Sequence, residues 1–227
     1  GTLSFPIDSA VLLECLSNLA ANELFSGGAF DPEGAYRRIR RGLDRLRGGA
    51  GHLVVVSGDL FRDGVDYPPE TGAYLDLLAR LHRDVLTALG EDRSQCRVLV
   101  MGGTNDILFS GTDTGAKANL TAMVYQLKAC GVQPMVGIPL PVDWARVPEK
   151  WRELVDFRAA AAQVQAYADW LRAYCRGSGS LTVDFAADFY RPDGQLCQEM
   201  LWDGLHPSED GHSKMAERLA RLLLRKG

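Results

Sequence analysis

The sequence predicts one α/β domain, a parallel sheet of five strands with helices on both faces, and three observations lead there. Apolar, β-branched runs of strand length recur at residues 52–56, 97–101, 134–138 and 181–185, with a fifth, shorter run at 11–13. Continuous rather than alternating hydrophobicity is the pattern of strands covered on both faces. Segments with helical periodicity separate these runs, and strands alternating with helices form parallel sheets through crossover connections. No Pro/Ser-rich linker or internal repeat divides the 227 residues, a length that can bury a substantial core.

Each element has its own local reason. Val11-Leu12-Leu13 is short enough to be a buried strand or the opening of a helix through 18–25, and periodicity does not separate the two. Gly27-Gly28 breaks the chain, and 32–46 then reads as an amphipathic helix stopping at Gly48-Gly49. The buried strand 52–56 runs into the turn Ser57-Gly58-Asp59. Pro68-Pro69 precedes a helix over 70–89 with Tyr74, Leu77, Leu78, Leu81 and Val85 on one face. Strand 97–101 closes at Gly102-Gly103, helix 116–130 stops at Gly131, and strand 134–138 ends at Pro139-Leu140-Pro141. A long helix over 151–174, a Gly-Ser turn at 177–180, a strand at 181–185 and a helix at 208–224 complete the chain.

Composition excludes several classes of function. Charged residues make up 24% and the net charge is -4, which disfavours a nucleic-acid partner. The arginines at 37, 38, 40, 41, 45 and 47 fall at helical spacing among Ile39, Leu43 and Leu46, as on a solvated helix face. Cys15, Cys96, Cys130, Cys175 and Cys197 show neither zinc spacing nor a disulfide framework, so no metal site is expected and a reducing cytoplasm fits best. No apolar run reaches the roughly 18 residues of a membrane span, and no signal peptide is visible.

Chemistry in such sheets gathers beyond the carboxyl ends of the strands. There stand Ser57-Gly58, the stretch Gly103 to Asp106, the loop at 139–143 and the turn Asp203-Gly204-Leu205-His206. Asp203, three residues before His206 on one turn, can accept a hydrogen bond from one ring nitrogen and leave the other as a base. Asn105, after a Gly-Gly that permits close backbone approach, can donate to an oxygen developing negative charge, and a backbone N–H of Gly58 can join it. A surface turn for Asp203–His206 and an Asx turn for Asn105 are the ordinary alternatives. Asp184 and Asp188 follow a strand and read as caps rather than metal ligands. His52, His82 and His212 read as surface, strand-edge or helix positions, and the four tryptophans as packing, with Trp202 close enough to His206 to line a pocket.

Gly103-Thr104-Asn105-Asp106 and Asp203-Gly204-Leu205-His206 resemble the third and fifth blocks of the SGNH (GDSL-type) hydrolases, and Ser57-Gly58-Asp59 is similar to the second. The helix after His206 also fits, and the resemblance covers about residues 97–224. It implies a flavodoxin-like three-layer α/β/α sandwich and hydrolysis of a small-molecule ester or acetyl group without cofactor. By that resemblance His206 is the base, Asp203 orients it, and Asn105, Gly58 and Gly103 form the oxyanion site. The first block, Gly-Asp-Ser-Leu, is missing. Three serines are candidate nucleophiles: Ser17, just beyond the end of a strand at 11–13, then Ser9 and Ser57. Ser17 is favoured, because a serine on the amino side of a strand would face away from His206.

Residues 10–19, and 53–64 with Glu70-Thr71, resemble the adenosylcobinamide kinase/guanylyltransferase family, where Glu14 would lie near a nucleotide's metal. That family's Lys-containing phosphate loop has no counterpart here, so kinase activity is not expected. The front, residues 1–93, is thus kinase-like and the back, 94–227, hydrolase-like, within one sheet. A nucleotide- or corrinoid-related protein, or a binding module without a nucleophile, are the alternatives to a hydrolase.

Overall fold

The structure, a computed structural model, describes residues 10–13, 15–26, 30–58, 67–88 and 97–224. Tertiary contacts divide the chain into two compact units, Gly1–Glu91 and Asp92–Gly227.

In the first unit, strand β1 (Ala10–Leu13) pairs in parallel with β2 (His52–Val55), Leu13 standing opposite Val55. Helices α1 (Leu16–Phe25), α2 (Pro32–Gly49) and α3 (Pro69–Ala88) pack together around Leu16, Ala20, Leu24, Ile39, Leu43, Leu78 and Leu81. Asp31 caps α2 by accepting a hydrogen bond from the Gly34 N–H, and Pro32 at the first helical position has no donor to leave unsatisfied.

In the second unit, β3 (Arg97–Val100), β4 (Gln133–Gly137) and β5 (Leu181–Val183) form a parallel sheet in the order β3-β4-β5. Helices α4 (Thr104–Ser110), α5 (Thr114–Ala129), α6 (Glu149–Arg152), α7 (Phe157–Ser178) and α8 (Glu209–Leu224) surround it. One core joins Ile107, Leu120, Val124, Val136, Ile138, Val164, Tyr167 and Leu171. A second joins Met135, Val183, Phe185, Phe189 and Leu201, against which Met215, Leu219 and Leu222 of α8 pack.

Four expectations change. The described strands form two sheets, of two and three strands, and not one flavodoxin-like sheet of five. β1 and β2 pair with one another, and helices of their own unit cover only part of them. Hence β2 is not the fully buried strand expected from its composition: its residues alternate in exposure, with Val54 50% exposed. The helix expected over 151–174 is two helices, because Asp156 accepts from the N–H groups of Arg158 and Ala159 and starts α7 afresh. Finally α4, seven residues directly after Gly103, was not anticipated, being too short to show a period.

Candidate active site

The turn at Asp203–His206 is built by its own backbone. Gly204 has φ +83°, a left-handed conformation that suits glycine. One carboxylate oxygen of Asp203, Oδ1, accepts the N–H groups of Leu205 at 3.0 Å and His206 at 2.8 Å. The other, Oδ2, lies 2.8 Å from Nδ1 of His206. Trp202 N–H donates to the His206 carbonyl, and Leu201 bridges Pro207 across the base of the turn. Buried Leu201 and half-buried Leu205 anchor this turn in the two cores of the unit.

This geometry assigns the tautomer: Nδ1–H donates to the carboxylate, so Nε2 is the basic nitrogen. The ring is largely exposed, with Trp151 of α6 meeting it edge-on at 6.0 Å between centroids. Burial pushes the Asp203 carboxyl up, but the hydrogen bonds from the His206 N–H, its ring and the Leu205 N–H outweigh it, and the net shift is downward. Asp203 is therefore ionised and acts purely as acceptor at neutral pH.

Asn105 lies on the first turn of α4, just past the carboxyl end of β3. Gly103 caps that helix with φ +105°, and a Cβ there would stand 2.6 Å from the buried Tyr167 ring. Among the described residues the Asn105 carboxamide has no hydrogen-bond partner, and it is exposed. The Asp203–His206 turn is tied to the loop after the neighbouring strand β4, since Asp143 N–H donates to the Gly204 carbonyl at 2.8 Å. Because β3 and β4 are parallel, Asn105 and this turn both belong to the carboxyl-end side of the three-stranded sheet. A cavity of about 370 Å³ lies along the link between α6 and α7, lined by Trp144, Leu154, Val155, Phe157, Arg152 and Arg158.

The remaining candidates belong to the first unit. Ser17 is the second residue of α1 and buried, its Oγ accepting the Gly58 N–H at 3.1 Å and lying 2.7 Å from Sγ of Cys15. Tyr74 donates to the Ser17 carbonyl. The Gly58 N–H, expected at an oxyanion, is thus engaged by Ser17 in this structure. Ser57 Oγ lies 2.7 Å from Nε2 of His82, a histidine that the sequence reads as a surface or strand-edge residue. Ser9 and Glu14 lie outside the described residues.

One contact of the candidate site escaped the sequence reading. Trp151 meets the His206 ring from 55 positions away, which no local pattern announces. Among the described residues no helix is long and apolar enough to cross a membrane, and no group of three or more His, Cys, Asp or Glu side chains is arranged to hold a metal ion.

The fold is similar to that of a member of the lipolytic protein G-D-S-L family from Veillonella parvula DSM 2008, at 17% identity and a TM-score of 0.54, covering 90% of this chain and 95% of that one. It is also similar to a structure described as a lipolytic protein of the G-D-S-L family from Desulfitobacterium hafniense DCB-2, at 16% identity and a TM-score of 0.51, covering 94% and 98%. No curated protein matches the chain. The model of the GDSL-like lipase/acylhydrolase family matches residues 26–214, a span that holds Gly58, Asn105, Asp203 and His206. The chain therefore belongs to the GDSL-like lipase/acylhydrolase family, a family of esterases and acylhydrolases.

Proposed function

We propose that this protein hydrolyses a small-molecule ester or acetyl group by acyl transfer, with His206 as general base and Asp203 as the group that orients it. The observation that carries the reading is the 2.8 Å contact between Asp203 Oδ2 and His206 Nδ1, which leaves Nε2 basic and exposed. Asn105, exposed and unpartnered among the described residues, donates to the oxyanion. Gly103 supports it by fixing the start of α4, and its own N–H is a further donor to that oxygen. Gly58 serves as another donor only by exchanging its present bond to Ser17. The nucleophile in this reading is Ser17, whose Oγ accepts the Gly58 N–H.

Turnover of p-nitrophenyl acetate by purified protein tests the reading. His206→Ala should lower kcat by about 100- to 10,000-fold, the usual worth of a positioned base. Asn105→Ala should lower it by about 100- to 1,000-fold with KM little changed. Full activity in both variants, with folding intact, would remove the mechanism.

A further inference from the structure

One hydrogen bond does not fix the plane of an imidazole. Asp203 Oδ2 meets the His206 ring at a single atom, Nδ1, and the ring can still swing about that contact. The His206 side chain is 61% exposed, so most of its surface faces solvent. Among the described residues, the aromatic ring that meets it is Trp151, with centroids 6.0 Å apart and the two planes at 78°. That is the geometry of an edge-to-face aromatic pair. Trp202, the tryptophan nearest to His206 in sequence, is by contrast 78% exposed.

Trp151 is itself held. Its N–H donates to the Pro148 carbonyl, and its own carbonyl accepts the N–H groups of Leu154 and Val155, so the backbone of α6 is pinned on both sides of it. The indole packs against the same core as Leu205, the residue before His206. Lys150 Nζ stands over the indole ring at 6.0 Å from its centroid. The chain leading into α6 lies directly on the dyad turn. Asp143 N–H donates to the Gly204 carbonyl at 2.8 Å, and a Cβ on Gly204 would stand 2.9 Å from the Val147 nitrogen. Trp151 follows four residues after Val147. The separation of the two rings is therefore set by backbone in contact with backbone.

We propose that Trp151 is a positioning residue for the acyl transfer, its indole holding the plane of the His206 imidazole so that Nε2 keeps one direction as it takes up and returns a proton. This rests on the hydrolase reading given above. Asp203 selects which nitrogen is basic, and Trp151 sets where that nitrogen points. A misplacement of about 1 Å in a catalytic group can cost on the order of 100-fold in rate. Because Trp151 acts through the imidazole and not on the substrate, its loss appears in kcat and not in KM.

Ester kinetics, a double-mutant cycle and NMR relaxation test the assignment. Trp151→Ala should lower kcat for p-nitrophenyl acetate by about 10- to 100-fold, with KM changed by less than about threefold. Trp151→Phe keeps an aromatic ring against the imidazole and should recover kcat to within about threefold of wild type. In a His206→Ala background, Trp151→Ala should cost less than about a further twofold, since there is no longer a ring to position. The order parameter of the His206 ring should fall in Trp151→Ala and be kept in Trp151→Phe. Trp151→Leu takes the place of the alanine variant if urea denaturation shows the latter to be unfolded, with the same outcomes expected. Wild-type kcat in the folded Trp151→Ala variant would overturn the proposal. An undiminished loss in the His206→Ala background, or an unchanged ring order parameter, would overturn it equally. If the wild-type protein turns over no ester, the hydrolase reading fails, and the order parameter alone then decides whether Trp151 holds the imidazole.

Discussion

Gly204 sets the geometry of the dyad more tightly than either of its members. A Cβ at this position would stand 2.4 Å from the Asp143 carbonyl oxygen and 2.9 Å from the Val147 nitrogen, both backbone atoms that cannot swing away. Gly204→Ala should therefore displace the whole turn. Strain at a left-handed position predicts a loss of about 1–3 kcal/mol in stability, and a shift of the imidazole of about 1 Å can cost on the order of 100-fold in rate. Urea denaturation and ester kinetics on the same preparation would check both. Asp203 gives a pH prediction. Its folded pKa lies below its unfolded value, so it contributes stability above the ordinary carboxylate range, and that contribution is lost as pH falls through the folded value. Asp203→Asn should flatten the acid limb of a plot of unfolding free energy against pH. It should also lower kcat, by up to about 10,000-fold if the wrong tautomer results. An unchanged acid limb would mean the carboxylate contributes nothing beyond an exposed one.

At the scale of elements, two helix starts shape the second unit. Helix α4 begins at Gly103, pressed against the ring of Tyr167, and the alignment of Asn105 follows from that contact. Burial first, then the charges of Asp106 and Asp113, push the Tyr167 hydroxyl well above its ordinary range, so the ring stays neutral at any working pH. Gly103→Ala needs the ring to move out of a filled core, and kcat should fall more than KM rises. Helix α7 begins at Asp156, whose carboxylate caps two N–H groups. Asp156→Ala should destabilise the second unit by about 0.5–2 kcal/mol, the usual cost of losing an N-cap, read as a lower midpoint in thermal or urea unfolding. The same cap frees residues 153–156 from helix, and the cavity lined by Trp144, Leu154 and Phe157 depends on that interruption.

At the scale of the whole molecule, each unit has its own buried cluster. Leu81 is fully buried in the first unit among Leu16, Ala20, Leu24 and Ile39. Leu81→Ala should cost about 2–5 kcal/mol, and hydrogen exchange should speed up through α1, α2 and α3. What could be read from the chain alone was local. The run Leu53-Val54-Val55, the glycine stop signals of α2 and α5, and the Asp203–His206 spacing each involve residues within one element or one turn, where backbone geometry dictates what meets what. The approach of Gly58, 41 positions from Ser17, whose N–H donates to the Ser17 hydroxyl, leaves no trace in the local sequence. The same holds for Ser57 beside His82 and for Trp151 against the His206 ring. Sequence by itself determined most of the longer strands and helices, the parallel α/β class and the pairing of the imidazole with its carboxylate, because these depend on contacts a few residues long. Tertiary structure alone decided which strands share a sheet, what lies against the imidazole and what the Ser17 hydroxyl bonds to, because these depend on burial and on partners brought together from distant parts of the chain.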